Sequence, residues 1–291
     1  MFRPAATPAI VVAGAFGLML VATVVAAFTL KHPATDEEAS GSPQPLGHVH
    51  GLGVDPGDGA LYLASHFGVF RVADGEPLRV ADRWQHTMGF AVVGSDHFLA
   101  SGHPDIREDL PTHLGLIEST DGAETWNALS LHGEADFHAL EVAGDRVYGY
   151  DSAGVQLLMT EDRHQWRVLD RAVLVDLAAD PDDPDRLLAT TAKGRLVEYP
   201  VGDPAPRVEL DGPPLLFIDW ADPATLVGLG SDGTVYLSDD GAATWQPTTP
   251  VSGAAQALEA TRDAWHVATS HGVYRSTDSG RTWKRLLGHT G

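Results

Sequence analysis

Six residues with metal-binding or acid–base side chains recur at matching places in the first half of the chain. They occur as pairs two residues apart, and successive pairs begin 38 and 50 residues from one another. Each pair opens a short, mostly apolar run typical of a β-strand, and a strand repeats its facing every second residue. Both members of a pair therefore point to the same side. The pairs are His48 with His50, His86 with Met88, and Asp136 with His138.

These side chains form a donor set that suits a transition metal. Imidazole with thioether favours copper, and imidazole with carboxylate also suits zinc or iron. The chain has no Cys, so Met88 is the only soft donor in the set. The pattern predicts a copper or zinc site built from His48, His50, His86 and His138 and completed by Met88 or Asp136.

Two other interpretations of the same residues stay open. The histidines can cap strand ends by hydrogen bonding to neighbouring backbone, with Met88 as core filler. They can also bind an anion or a sugar when they are protonated.

The elements that must position these residues are predicted by a repeat. Trp84, Trp126, Trp166, Trp245 and Trp283 follow a spacing of about 40 residues with one register lacking Trp. From His48 onward, units of 37 to 50 residues each contain four short strand-like runs separated by Gly, Asp or Pro. Six such units predict an all-β, six-bladed β-propeller with four-stranded antiparallel blades, since radial repetition leaves only short sheet edges.

Further histidines fall in loops that reach the same face of such a propeller. The loop between the second and third strands of a blade emerges beside the start of the innermost strand. The longest of these loops is a charged insert at 103–113, and an insert of this kind often lines a functional face. Eight of the 14 histidines map to this face. The loop histidines are His66, His103, His113 and His271, of which His66, His103 and His271 are secondary metal candidates.

A recurring eight-residue segment identifies the kind of repeat. It reads STDGAETW from 119, SDDGAATW from 238 and STDSGRTW from 276, with a poorer copy at 160–166. The segment resembles the Asp-box, or BNR, repeat S-x-D-x-G-x-T-W of sialidase-like β-propellers. Only the last copy matches fully, because Ala123 and Ala242 stand where the family has Gly. In that family the box is a peripheral folding element, so the resemblance implies a fold and no catalytic residue.

The resemblance leaves enzymatic activity open. Over about 48–287 the chain looks like exported bacterial proteins labelled as BNR-repeat glycosyl hydrolases, through HVHGLGVD, HTMGF, SGHP and SHGVYRSTDSGRTW. For catalytic sialidase-like members it implies an arginine triad, a Tyr with a Glu partner and an Asp acid/base. No such set stands at recognisable positions, and Asp105, Asp136 and Arg107 are candidates by location only. Photosystem assembly-factor and sortilin-type propellers carry the same box and act as binding platforms.

Composition and the amino-terminal segment indicate where the protein works. A formal charge of −21 argues against nucleic acid, whose phosphates need a basic surface. Residues 9–30 are uncharged and long enough to span a bilayer, which predicts a transmembrane anchor, or a signal segment if it is cleaved to give a secreted protein. The predicted organisation is a short tail at 1–8, the anchor at 9–30, a flexible linker at 31–47 and the propeller at 48–291.

Together these features predict a membrane-tethered, extracytoplasmic propeller that acts as a binding module with a His/Met metal site. The partners expected are the membrane, through the amino-terminal helix, and a metal ion, an extracytoplasmic protein or a glycan. The alternatives are a sialidase-like glycoside hydrolase, and a protein-interaction or assembly scaffold whose histidines are structural.

Overall fold

The computed structural model describes residues 46–202 and 206–288. They form 24 strands in six four-stranded antiparallel sheets. Each sheet consists of four consecutive strands, which confirms the predicted six-bladed propeller, and within the described residues no strand is exchanged to close the ring. The predicted segments 1–8 and 9–30 and nearly all of 31–47 lie outside the described residues. Among the described residues, none belongs to a helix of the length and apolarity that crossing a bilayer requires.

The first three blades contain strands β1 to β12. Blade 1 consists of β1 (Val49–Val54), β2 (Leu61–Ser65), β3 (Gly68–Ala73) and β4 (Glu76–Arg79). Blade 2 consists of β5 (His86–Gly94), β6 (His97–His103), β7 (Leu116–Ser119) and β8 (Asn127–Ser130). Blade 3 consists of β9 (Phe137–Ala143), β10 (Arg146–Asp151), β11 (Gln156–Thr160) and β12 (Arg167–Asp170).

The last three blades contain strands β13 to β24. Blade 4 consists of β13 (Leu174–Ala179), β14 (Arg186–Thr191), β15 (Leu196–Pro200) and β16 (Val208–Leu210). Blade 5 consists of β17 (Phe217–Asp222), β18 (Thr225–Leu229), β19 (Val235–Ser238) and β20 (Gln246–Pro247). Blade 6 consists of β21 (Ala255–Ala260), β22 (Trp265–Thr269), β23 (Gly272–Ser276) and β24 (Lys284–Leu287).

The hydrophobic core lies between neighbouring blades. In the described residues, six clusters of buried apolar side chains each draw on two adjacent blades. Tyr62 and Phe98 join blades 1 and 2, with ring centroids 4.7 Å apart, and Leu63 and Val273 join blades 1 and 6. Each fully buried side chain of this size contributes about 1.5–3 kcal/mol, so the apolar faces of the strands hold the blades side by side.

Hydrogen bonds from side chains also connect the innermost strands. The N–H groups of Val49 and Val54 donate to the side-chain oxygens of Gln256 and Glu259, at 3.2 and 3.3 Å, which joins blade 6 to blade 1. An innermost strand is a sheet edge whose outward N–H groups need acceptors. The equivalent bonds elsewhere run from Ala179 to Glu141, from Ile218 to Asp176 and from Ala260 to Asp219.

The Asp-box segments form compact turns between the third and fourth strands of blades 2, 5 and 6. In blade 6 the Ser276 hydroxyl accepts a hydrogen bond from the Gly280 N–H at 3.0 Å, and Asp278 accepts two from the threonine four residues later. Gly280 has a φ of +73°, and Ala123 and Ala242 have φ values of +75° and +76°. The two alanines therefore adopt the left-handed conformation that favours glycine.

Candidate functional site

Three imidazoles from blades 1 and 2 lie against one another beside the innermost strands. The Nε2 atoms of His50 and His86 are 3.0 Å apart. The ring centroid of His66 lies 4.7 Å from that of His50 and 4.2 Å from that of His86. One nitrogen from each ring falls within 4.8 Å of the other two, and all three side chains are half-buried. We call these residues the histidine trio.

Irregularities in strand pairing aim the inward side chains. On β1 the pairing with β2 skips His50, and on β9 the pairing with β10 skips His138. On β5 it skips Met88 and Gly89. A residue left out of the ladder bends its strand and redirects its side chain. The bulges thus turn the predicted ligands away from the regular pleat at the same point of three blades.

Local structure fixes the other two members of the trio. His66 lies in the turn after β2, where the Ser65 hydroxyl accepts the Phe67 N–H at 3.1 Å and donates to the Gly68 carbonyl at 3.0 Å. His86 is the first residue of β5 and pairs directly with His103, the last residue of β6. A hydrogen-bonded turn therefore positions His66, and the paired start of β5 positions His86.

The run of histidines continues on both sides of the trio. The ring of His48 lies 4.8 Å from that of His50. On the other side, the ring of His103 lies 5.4 Å from that of His86 and 5.6 Å from that of His113. Six histidines thus form one continuous row across blades 1 and 2.

The row ends at a buried carboxylate in blade 3. The Oδ2 atom of Asp136 accepts hydrogen bonds from His138 Nε2 at 2.9 Å and from the Ser152 hydroxyl at 3.1 Å. The same oxygen lies 3.9 Å from His103 Nε2 and 4.0 Å from His113 Nδ1. His103, His113 and Asp136 form a second cluster of possible metal ligands, which we call the His–His–Asp group.

Burial keeps the central imidazoles neutral. Burial, followed by the nearby His48, His86 and His66, lowers the pKa of His50 to about 2. Burial, followed by the nearby His66, lowers the pKa of His86 to about 3. Burial of Asp136 opposes its ionisation, but the bond from His138 and the closeness of His138 and His103 bring its pKa below the ordinary value. Neutral imidazole and ionised carboxylate are the forms that bind metal ions.

Beside the trio, the innermost strands enclose a cavity of about 380 Å³. His50, Met88 and His138 line part of its wall, which places the three inward positions of blades 1 to 3 around one space. Four half-buried carboxyl groups line other parts of the wall. They belong to Glu141, Asp176, Asp219 and Glu259.

The carboxyl groups in this cavity are poor acids. Burial raises the pKa of Glu141 to about 8 and the pKa values of Asp176 and Glu259 to about 7. Burial, with the nearby Glu259 and Glu141, raises the pKa of Asp219 well above its ordinary value. The composition does not indicate these raised pKa values, because they arise only when four blades bring the acidic residues together in one cavity.

The remaining candidates have other partners. His271 Nδ1 lies 2.8 Å from the Ser252 hydroxyl, so in the described residues its side chain is bonded to blade 6. Asp105 is buried and bonded to Arg107, with a shortest distance of 2.6 Å, and it accepts the Trp84 N–H at 2.9 Å. Arg107 also donates to Asp82 at 2.9 Å. These ionic contacts hold the 103–113 insert against blade 1.

Comparisons with known proteins show the fold. No protein-family model matches the chain, and no curated protein matches its sequence. The solved structure of a nidogen/laminin complex is similar with a TM-score of 0.62 and 13% identity, over 77% of this chain and 91% of that one. The structure of YCF48 bound to D1 peptide is similar with a TM-score of 0.50 and 15% identity, over 87% of this chain and 86% of that one. PorZ of Porphyromonas gingivalis is a surface component of the type-IX secretion system. Its structure is similar with a TM-score of 0.54 and 14% identity, over 84% of this chain and 33% of that one. At these identities the chain shares their propeller architecture, and the Asp-box assignment stays a resemblance.

Proposed function

We propose that the protein is a binding module that holds a transition-metal ion, copper or zinc, at the histidine-rich face of its propeller. The observation that carries the proposal is the 3.0 Å separation of the His50 and His86 Nε2 atoms, with the His66 ring against both. Two nitrogens bound to one zinc ion at about 2.0–2.1 Å lie about 3.3 Å apart in tetrahedral geometry. The His50 and His86 nitrogens are thus close to the spacing that a shared ion requires, and a nitrogen of His66 lies within 4.8 Å of both.

A hydrogen bond alone explains the arrangement less well. One N–H···N bond accounts for the contact between His50 and His86, but it does not account for His66, whose ring lies 4.2 Å from that of His86. Each neutral imidazole carries one N–H donor and one lone pair, so the three rings offer one lone pair each to a shared ion. A cation satisfies all three lone pairs at once.

The donor set favours copper and zinc over hard cations. Imidazole suits both metals, and a thioether adds preference for copper(I). Met88 shares the cavity wall with His50 and His138, so it is available as an additional soft ligand. His48 lies against the trio and supplies a fourth imidazole.

The proposed setting is extracytoplasmic and tethered to a membrane. It is supported by the uncharged apolar segment at 9–30, the absence of Cys and the formal charge of −21. A propeller held outside the cytoplasm by one segment presents its metal-binding face to ions and partners there.

Metal content of the purified full-length protein tests the proposal. Wild type dialysed against copper or zinc is expected to retain bound metal, measured by inductively coupled plasma mass spectrometry. The double variants His50→Ala/His86→Ala and His50→Ala/His138→Ala are expected to weaken binding roughly 100-fold. His164→Ala is the matched control, because His164 is exposed and lies in the Asp-box turn of blade 3. Equal metal content in all four proteins contradicts the proposal.

A second candidate function is recognition of a protein partner by the 103–113 insert. Ile106 is 98% exposed and Leu110 is 42% exposed, so two large apolar side chains stand on the insert beside the histidines. Propellers of this architecture have been solved with a peptide and in a laminin complex. A photo-crosslinker placed at 106 is expected to capture one partner whose binding to the purified protein is weakened by Ile106→Asp. The same crosslinker at Val168, exposed on blade 3, is the control.

A further inference from the structure

We propose that a second cation of the zinc class binds between His103, His113 and Asp136, so that this face carries a two-cation centre. The inference rests on the proposed function only in that both ions occupy one face. It uses three different ligands, from the ends of the 103–113 insert and from the residue before β9.

The distances within the His–His–Asp group suit a shared ion better than direct bonds. His103 Nε2 and His113 Nδ1 lie 3.9 and 4.0 Å from Asp136 Oδ2. Both separations are too long for hydrogen bonds. Ligand atoms held at about 2.0–2.2 Å from one zinc ion lie about 3.3–3.6 Å apart in tetrahedral geometry. Both contacts are longer than this by a few tenths of an ångström, so a small inward movement of the two rings would bring these atoms onto one ion.

The hydrogen bonding of His103 leaves a lone pair facing the carboxylate. Its Nδ1 atom lies 2.8 Å from the Thr112 carbonyl oxygen, which can only accept, so Nδ1 carries the proton. In the neutral ring Nε2 is then an unprotonated acceptor that faces another acceptor, Asp136 Oδ2. A backbone carbonyl that orients the far nitrogen is the usual support of a metal-bound histidine. An ion between the two acceptors removes the conflict.

Two buried atoms of the group have no hydrogen-bond partner in the described residues. They are Asp136 Oδ1 and His113 Nδ1. The side chain of Asp136 is only 7% exposed, and buried carboxylate oxygens are almost always bonded. Asp136 Oδ2 is already engaged by His138 and Ser152, so Oδ1 is the oxygen left over. A cation held by His113 Nδ1 and by both oxygens of the Asp136 carboxylate satisfies both orphaned atoms.

The ligand types distinguish this site from the trio. A carboxylate with two imidazoles suits zinc and other borderline divalent ions and is a poor match for copper(I). The sites adjoin through His86 and His103, which are opposite each other in the strand ladder with ring centroids 5.4 Å apart. The two groups of ligands share no residue, so each ion has its own ligands.

The test is the number of zinc ions that the full-length protein binds, measured by titration in competition with a chromophoric chelator. Wild type is expected to bind two ions. Asp136→Asn, which is nearly isosteric, and His113→Gln, which removes the imidazole, are each expected to bind one. His50→Ala/His66→Ala is expected to lose the other ion only. Cobalt(II) can replace zinc as a spectroscopic probe. The variants of each site are expected to remove one component of the visible absorption of bound cobalt(II). Thermal melts confirm that each variant is folded.

The outcomes separate the two sites. Two ions bound by both Asp136→Asn and His113→Gln overturn the inference. So does loss of both ions from either of these variants when it is folded, because the sites are then not separate. A single wild-type ion that Asp136→Asn removes and His50→Ala/His66→Ala retains supports this site while the trio fails. A single ion with the opposite behaviour overturns the inference and leaves the proposed function standing.

Discussion

The Nε2 atoms of His50 and His86 lie 3.0 Å apart, although 36 residues separate them and they belong to different blades. They meet because β1 and β5 are the innermost strands of adjacent blades and because the bulge at His50 redirects its ring. The contact exists only when blades 1 and 2 are packed together. The metal binding that we propose at the trio is therefore expected to be coupled to folding.

Metal is expected to stabilise the protein. At a free zinc or copper concentration about 100 times the dissociation constant, binding to the folded state alone adds about 2.7 kcal/mol to the free energy of unfolding. A thermal melt with and without metal measures the gain, and a chelator is expected to reverse it. His50→Ala/His86→Ala is expected to remove the part of the response that comes from the trio. A metal-induced shift of the same size in that double variant contradicts assignment to the trio.

Replacing Met88 by leucine is expected to discriminate between metals. Met88 and Leu have similar volumes, so the cavity wall is retained while the sulfur is lost. Copper(I) affinity is expected to fall by about tenfold or more, whereas zinc affinity is expected to stay unchanged. Competition titrations with chelators for each ion measure both constants. Unchanged copper(I) affinity indicates that Met88 is packing only.

The stability of the apo propeller is expected to fall as pH rises. The folded pKa of Glu141, about 8, and those of Asp176 and Glu259, about 7, exceed the values near 4 of the unfolded chain. Between these limits the folded carboxyl groups bind more protons than the unfolded ones, which lowers the free energy of unfolding as pH rises. Below about pH 6.5 the low pKa values of His50 and His86 act in the opposite direction, so the net decrease is expected from about pH 6.5 to about pH 8. Urea midpoints at a series of pH values measure the trend.

Amide variants supply the control for that trend. Glu141→Gln and Glu259→Gln retain an oxygen that accepts the bonds from the Ala179 and Val54 N–H groups. They are expected to flatten the pH dependence and to be more stable than wild type at alkaline pH. If the double variant keeps the wild-type slope, the cavity carboxyl groups are not its source.

The last Asp-box turn is expected to resist substitution of its glycine. An added Cβ at Gly280 lies 2.7 Å from Thr248 Oγ1 and 3.0 Å from the Trp265 ring, at a φ of +73°. Gly280→Ala is expected to cost on the order of 1–3 kcal/mol in unfolding free energy, from overpacking as well as backbone strain. Gly144→Ala is the control, since Gly144 has a φ of +60° with no atom within 4 Å of the added carbon. Chemical denaturation of the pair measures the difference, and equal losses contradict the packing contribution.

Much of the fold follows from local pattern. Short apolar runs separated by Gly, Asp or Pro turns predict strands such as β2, the Trp spacing predicts a repeat of about 40 residues, and the six units of four runs predict the number of blades. These features can be predicted because each strand buries its own face against the next blade. Every repeat must therefore contain the same apolar pattern. Outer strands are harder to predict from the sequence, because contacts with their neighbours set where they begin and end. Strand β20, for example, is only two residues long.

The sequence predicts only part of the candidate site. The phase of the repeat predicts that His48, His50, His86 and His138 share one face, and the structure places the first three in one row. The structure also places His66 at the centre of that row. His138 is instead hydrogen-bonded to Asp136, and His271 is hydrogen-bonded to Ser252. His113 is predicted to reach the face, but its closeness to Asp136 depends on how the insert folds.

The sequence by itself determined the periodic array of strands, the face that gathers the histidines and the donor types available to a metal. Only the tertiary structure decided which rings meet, because bulges at His50 and His138 break the two-residue alternation on which sequence reasoning depends. It also decided that four acids share a cavity and that Asp136 keeps an unbonded oxygen. Such contacts join blades, and the distance between blades is set by side-chain packing that no single repeat contains.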